Sequence, residues 1–271
     1  MSDLLIHSMS EFSGLIMPAL AAADAADIVE IGAEFGGMSA LLADHCAARG
    51  GRLTSVDPSP KAEFVEWAAG RPEVRHVAKP SLDVLGDIEC ADAWVIDGDH
   101  NWYTVYHELK AIRARCREAS KPVLAFLHDV NWPSGRRDMY YAPEQIPADY
   151  RHAHSFDAGA FPGHPQLVPN RGFRGMGHFA WATHEGGPRN GVLTAVEDFL
   201  AEALAEGEEY AFAEVPAVFG LGVLFAMDAP WSQAVAEIVV PYHDNALIRR
   251  LEENRLLNYL TVVDIQDRRA A

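Results

Sequence analysis

The feature that most constrains this chain is a short apolar run, Ile28–Ile31, that breaks into Gly32-Ala33-Glu34-Phe35-Gly36-Gly37 and resumes as a helix-like stretch, Met38–Ala48. Four β-branched or extended residues bounded by glycine read as a buried strand, and Leu41 and Leu42 give the following segment a core-facing side. The glycines allow the sharp bend that carries a strand into a helix lying back on its own sheet. Gly50-Gly51 stops that helix, and Arg52–Val56 reads as a second strand ending at Asp57-Pro58. Strand, glycine turn, helix and strand in this order make a βαβ unit, which commits the chain to parallel strands.

The alternation continues on both sides. Ser10–Ala26 has helical spacing through Phe12, Leu15, Ile16 and Leu20; Lys61–Ala69 reads as a helix and Val74–Ala78 as a strand. Trp94–Ile96 is a wholly apolar strand stopping at Asp97, Tyr103–Ala119 a helix, and Pro122–Leu127 a buried strand ending at His128-Asp129. The rhythm then fails. From Asn131 to about Pro188 the chain is rich in Gly, Pro, Tyr and His without a sustained period, and so long an irregular stretch reads as a functional loop or lid. Gly191–Ala205 is again helical, Phe212–Phe219 and Leu221–Met227 read as a closing antiparallel pair, and Ser232–Asp267 is mostly helical and heavily charged. The expectation is an α/β, Rossmann-like, doubly wound seven-stranded sheet, mostly parallel, with a long lid insertion after the fifth strand. Residues 1–271 are expected to form a single domain, with 131–190 as the lid and acceptor-binding insertion and 232–271 as C-terminal helices.

A content of 49% hydrophobic and 23% charged residues suits one large α/β core. The formal net charge of -17 argues against duplex nucleic acid as a partner, because such a partner needs a basic surface. Cys46, Cys90 and Cys116 are odd in number, widely spaced and free of a CxxC pair. They therefore suggest neither a disulfide framework nor a cysteine zinc site, and fit a reducing cytoplasm. The opening MSDLLIHSMSEF carries acids and no basic n-region, unlike a signal peptide, and no apolar run is long enough to span a membrane. Leu247, Leu251, Leu256, Leu257 and Leu260 suggest a packing face that either covers the sheet or makes a homodimer.

A glycine-rich bend at the carboxyl end of a strand, followed by the free N–H groups of a helix, is a place where backbone approaches a ligand. Dinucleotide enzymes grip a pyrophosphate there through GxGxxG. Here the spacing is Gly32-x-x-x-Gly36-Gly37, and Glu30 precedes it. A carboxylate repels a pyrophosphate but can accept from the ammonium of an amino acid, so Val29–Ser39, Ala33 included, is read as a cradle for S-adenosylmethionine (SAM). Asp57 stands where an acid can bind both ribose hydroxyls, or else cap the next turn. Ser81 is a candidate for contacts near the adenine.

Taken together, Val29-Glu30-Ile31-Gly32-Ala33-Glu34-Phe35-Gly36-Gly37, Ser55-Val56-Asp57-Pro58 and Val95-Ile96-Asp97-Gly98-Asp99-His100 resemble the class I SAM-dependent methyltransferases, nearest to the macrocin O-methyltransferase-like group of natural-product pathways. The resemblance covers roughly Asp27 to Val130. It implies that Asp97 and Asp129 ligate a Mg²⁺-type ion and that His100 is the general base, with Asp97 also facing the methyl donor. His128 occupies a position that looks like a carboxylate in metal-using relatives. Imidazole is a poor ligand for Mg²⁺ and a good one for Zn, Fe or Ni; either His128 is no ligand, or the ion is softer, or there is no metal.

The acceptor pocket is expected from the segment after Asp129. Trp132, Arg136, Arg137, Tyr140 and Tyr141 offer flat faces and guanidinium forks, Asp99 adds an acid, and His178 is the histidine most apt to reach the site. Arg136 and Arg137 have a structural alternative in pairing with Asp138 or Glu144. The leading function is O-methylation of a small polar acceptor, a natural-product intermediate or sugar-like molecule, with or without metal assistance. The alternatives are a SAM-fold enzyme with other chemistry (SAM cyclisation, or redox at a His128, Asp129 and His100 iron site) and a non-catalytic SAM-binding protein.

Overall fold

A computed structural model describes residues 8–270, the side chains of 267–270 excepted, so Met1–His7 of the opening segment lie outside the described residues. Helix α1 (Ser13–Ala22) precedes the βαβ unit of β1 (Ile28–Ile31), α2 (Gly37–Arg49) and β2 (Leu53–Val56). Next come α3 (Ala62–Ala69), β3 (Val74–Val77), β4 (Ala93–Ile96), α4 (Trp102–Ala119) and β5 (Leu124–His128). The intervening segment holds β6 (Met139–Tyr140), β7 (His154–Ser155), β8 (Ala158–Phe161), β9 (His164–Pro169) and β10 (Ala180–Ala182). The chain closes with α5 (Val192–Ala205), β11 (Tyr210–Val215), β12 (Leu221–Ala226), α6 (Ser232–Val239) and α7 (Ala246–Ala270).

The main sheet has seven strands in the order β11-β12-β5-β4-β1-β2-β3. β1 to β5 are parallel, while β12 runs antiparallel to both β5 and β11. The expected fold class is therefore the observed one. Alternation along each strand sends side chains to two cores. Ile28, Val95, Phe126 and Val223 meet Ile16, Leu20, Leu42 and Val235 from α1, α2 and α6 on one face. On the other, Val29, Ile31, Trp94 and Ile96 meet Val105, Leu109, Ile112 and Phe199 of α4 and α5. Helix α4 takes this position because Val105, Leu109, Ile112 and Cys116 recur at three- and four-residue spacing. Its first turn is capped by the Asn101 side chain, which accepts from the Thr104 N–H at 2.9 Å. Among the described residues no helix is long and apolar enough to cross a membrane.

Two expectations need correction. The segment 131–190 is not structureless: it folds into a three-stranded sheet, β6-β10-β7, and a β8-β9 hairpin. Strands of two to six residues are too short to print a period on the sequence. The closing pair is also shorter than the apolar run suggested, since the strand ends at Val215 before Pro216. On α7, Leu256 and Leu260 are buried against Val218 and Phe219, whereas Leu247, Leu251 and Leu257 stay exposed.

One buried carboxyl fastens the inserted segment to the main sheet. Asp138 Oδ1 accepts the N–H groups of Trp102 and Gly191, both at 2.7 Å, and its Oδ2 accepts the Tyr140 hydroxyl at 2.7 Å. Burial raises its pKa to about 6. Beside it the Met139 N–H donates to the carbonyl of His100 at 3.0 Å, so the insertion grips the loop that enters α4. Asp138→Ala strands three buried donors and should cost about 2–3 kcal/mol. Thermal unfolding should show a midpoint lower by about 5–10 °C; an unchanged midpoint would mean that the insertion is held elsewhere.

Candidate active site

The strand order turns back between β1 and β4, and a crevice opens at the carboxyl ends of parallel strands where an order reverses. Gly32 and Asp97 leave the sheet at that point, one from each strand. In the β1–α2 bend Gly32, Glu34 and Gly36 all take left-handed backbone, with φ of +87°, +46° and +82°. A Cβ on Gly32 would lie 2.1 Å from the carbonyl oxygen of Asp97, so only glycine lets the two strand ends close up. Helix α2 has no side-chain cap at Gly36, and its first N–H groups are left for a ligand.

The acids at this bend do not sit as their sequence positions suggested. Glu30 is buried, and its Oε2 accepts the Ser39 hydroxyl at 2.6 Å and the Ser55 hydroxyl at 2.9 Å. Burial lifts its pKa to about 7. Its Oε2 ties α2 to β2. Asp57 Oδ2 accepts the N–H groups of Ala33 and Glu34 at 2.9 and 3.1 Å, and Oδ1 accepts that of Ser59 at 2.8 Å. It shapes the bend from outside. A carboxylate offers about four lone-pair sites, so one position stays open to a ribose hydroxyl. The Ser81 hydroxyl donates to Glu108, a buried acid that desolvation pushes up to about 8, so this residue too is spent on the protein itself.

The ends of β4 and β5 bring Asp97, His100, His128 and Asp129 together. His128 Nδ1 lies 3.0 Å from Asp97 Oδ1 and 2.9 Å from Asp129 Oδ2. Burial opposes its protonation, but the two carboxylates outweigh that cost and hold its pKa well above the ordinary histidine value. His128 therefore sits between two acids that favour its protonated form. Desolvation acts against the Asp129 anion, yet His100, His128 and the Ser134 hydroxyl at 3.0 Å hold its pKa far below the usual range. Asp129 itself has φ +62°, a left-handed conformation that turns its side chain back toward β4. His100 Nδ1 is 3.4 Å from the same Asp129 Oδ2. The edge of Phe12 packs on His128, with ring centroids 5.8 Å apart.

Among the described residues, Asp97, His100 and Asp129 form a group whose donor atoms lie within 4.8 Å of one another, close enough to hold a metal ion. The donor set suits a borderline ion better than Mg²⁺. His128 is absent from that group, although its Nδ1 lies 3.0 and 2.9 Å from Asp97 and Asp129; its Nε2 is buried without a partner. The sequence left its role open; the geometry places its ring between the two acids.

The residues expected to bind the acceptor separate. Tyr141 is an exposed residue whose ring lies 6.2 Å from that of His100, so it stands beside the corner. Trp132 packs half-buried against Phe173 and Phe219. Arg136 makes a forked pair with exposed Glu197, and Arg137 is fully buried, donating to the carbonyls of Ala182 and Pro165. Neither pairs with Asp138 or Glu144. Tyr140 is buried on Asp138 and is also unavailable. Asp99 accepts from Asn101 and Thr104 at the start of α4, while His178 is exposed in a turn. Ser134, whose hydroxyl donates to Asp129, was not legible by residue type; only its position five residues on, across the β5 exit, makes it a candidate.

Residues 29–130 match the family model described as a methyltransferase domain. Similar solved structures include an O-methyltransferase from Bacillus cereus in complex with SAH, with 15% identity, TM-score 0.49, and coverage of 82% of this chain and 84% of that one. Another is the O-methyltransferase TomG from Streptomyces achromogenes, involved in tomaymycin synthesis and in complex with SAM, with 18% identity, TM-score 0.46 and 81% coverage of each chain. No curated protein matches. The match of Val29–Val130 to a methyltransferase domain bears out the enzyme class expected from the sequence.

Proposed function

We propose that the chain methylates an oxygen of a small polar acceptor, with SAM as the donor and His100 as the base. The observation that carries this reading is the juxtaposition of the Gly32–Gly36 bend with the His100–Asp129 pair across the β1/β4 crevice. The bend fits a nucleoside-bearing amino acid: its glycines remove side chains from the approach, and the uncapped α2 N-terminus favours a carboxylate. SAM supplies an activated methyl group, so the protein has to align the acceptor and take its proton. Asp129, at 3.4 Å from His100 Nδ1, orients that ring and leaves Nε2 to receive the proton. Tyr141 flanks the place where the acceptor would lie. The natural-product or sugar-like character of that acceptor belongs to the same proposal.

Calorimetry with SAM, followed by transfer of a labelled methyl group to a panel of small hydroxyl compounds, tests the reading. His100→Ala should keep SAM affinity and lower turnover about 100-fold, the low end of a general base's contribution. Absence of SAM binding in the intact protein would remove the proposal.

A second reading is favoured by the convergence of Asp97, His100 and Asp129, which would hold a divalent ion that supplies Lewis acidity toward an acceptor hydroxyl. The two acids' engagement with His128, whose pKa they raise, opposes it. Full activity after chelation supports the base mechanism; loss that one divalent ion restores supports the metal.

A further inference from the structure

Away from the crevice, at the other end of α4, two thiols lie in contact. The Sγ of Cys90, in the segment leading to β4, is 3.6 Å from the Sγ of Cys116 on the last turns of α4. They are 26 residues apart in sequence, and their spacing matches no redox or metal motif, so the pair is visible only in the fold. Cys116 is buried, whereas Cys90 is partly open to solvent. We infer that Cys90 and Cys116 form an oxidisable dithiol, with Cys90 attacking a hydroperoxide and Cys116 resolving the product to a disulfide.

Three observations support this assignment of roles. The sulfurs already lie in contact at 3.6 Å, within reach of a bond if the side chains adjust. Two cations lie near Cys90: Lys121 Nζ donates to its carbonyl at 3.3 Å while also pairing with Asp92 at 2.7 Å, and Arg115 Nε donates to the carbonyl of Ile88 at 3.1 Å. The thiol contact with Cys116, aided by these cations, lowers the Cys90 pKa to about 7, while burial and the same contact push Cys116 up. A partly exposed, low-pKa thiol beside a buried partner is the arrangement in which oxidation is selective. Cys46 provides the contrast: it is buried and desolvation pushes it up to about 12.

The step balances. The Cys90 thiol and a hydroperoxide give a sulfenic acid and one alcohol or water. The Cys116 thiol then displaces the sulfenic hydroxyl as water, and the S–S bond forms with both cysteines oxidised by one electron each. The bond would staple the end of α4 to the entry of β4, the two elements whose opposite ends present His100 and Asp97.

The test treats the full-length protein with hydrogen peroxide under native conditions, alkylates remaining thiols, and maps peptides by mass. The expected product is an intramolecular Cys90–Cys116 link, reversed by dithiothreitol, with Cys46 alkylated only after unfolding. A melting midpoint about 5 °C higher in the oxidised form should accompany it. In Cys116→Ser, Cys90 should stop at the sulfenic acid and be trapped by a 1,3-diketone. The inference is overturned if both cysteines remain fully alkylatable after peroxide, or if Cys90 is over-oxidised in the wild type without linking to Cys116. The readout is covalent and independent of methyl transfer, so it stands or falls apart from the proposed activity.

Discussion

Gly32→Ala should abolish measurable SAM binding and lower stability by about 3 kcal/mol or more. Two costs add. At φ +87° an alanine pays the left-handed penalty of about 1–2 kcal/mol. Its Cβ would also fall 2.1 Å from the Asp97 carbonyl oxygen and 2.5 Å from the carbonyl carbon. Those are backbone atoms at the end of a central strand and cannot rotate aside, so overpacking adds about 1–3 kcal/mol more. Relief requires β1 and β4 to part at their carboxyl ends, which moves both the cofactor bend and Asp97. Gly50→Ala is the control: its φ is +69°, but nothing lies within 4 Å of the added carbon. It should lose about 1 kcal/mol and bind SAM as the wild type does. Chemical denaturation and calorimetry on the two variants decide the matter; equal losses at both sites would mean that the β1/β4 approach is not what Gly32 serves.

The contrast between these glycines shows what the sequence could convey. Strand, turn and helix were legible because burial imposes local periods: β-branched runs such as Ile28–Ile31 and the Val105-Leu109-Ile112-Cys116 stripe of α4 are written into consecutive residues. The convergence of Asp97, His100 and Asp129 was legible for a topological reason, since parallel strands deliver their ends to one side of the sheet. What each polar side chain touches was less so. Glu30, Asp57 and Ser81 stand where a ligand contact was expected, and each also meets the protein itself, through Ser39 and Ser55, the Ala33 and Glu34 amides, and Glu108. Buried polar atoms must be paired, and which partner reaches them depends on packing between elements distant in sequence. The insertion was harder still. Arg137 and Tyr140 look like binding residues by type, but the insertion's small sheets have too little apolar material to close alone and consume them as internal struts.

His128 raises the same issue at the centre of the site, where removing one charge should cost most. His128→Gln keeps approximate size and a hydrogen-bond donor but leaves Asp97 and Asp129 facing each other without the cation that lies 3.0 and 2.9 Å from them. Breaking a buried ion pair on one side costs about 3–5 kcal/mol near neutral pH. The pH dependence carries the sharper signature. In the wild type the folded pKa of His128 is raised well above 6.5, so its contribution is complete below about pH 6.5 and fades as pH rises through the folded value. Asp129 is the mirror case: its folded pKa lies below 3.8, so its contribution is present above that value and is lost as pH falls through the folded one. Between about pH 5 and pH 6 these two contributions should therefore stay level in the wild type, while the slope imposed by the raised acids Glu30, Asp138 and Glu108 is common to wild type and variant. In the variant one of the two unpaired carboxyls takes up a proton more readily than in the unfolded chain, so its stability should rise as pH falls across that same interval. Urea titrations at several pH values would show converging curves toward acid. Parallel curves would mean that His128 is neutral in the native protein and that the acids of the corner are balanced by something else.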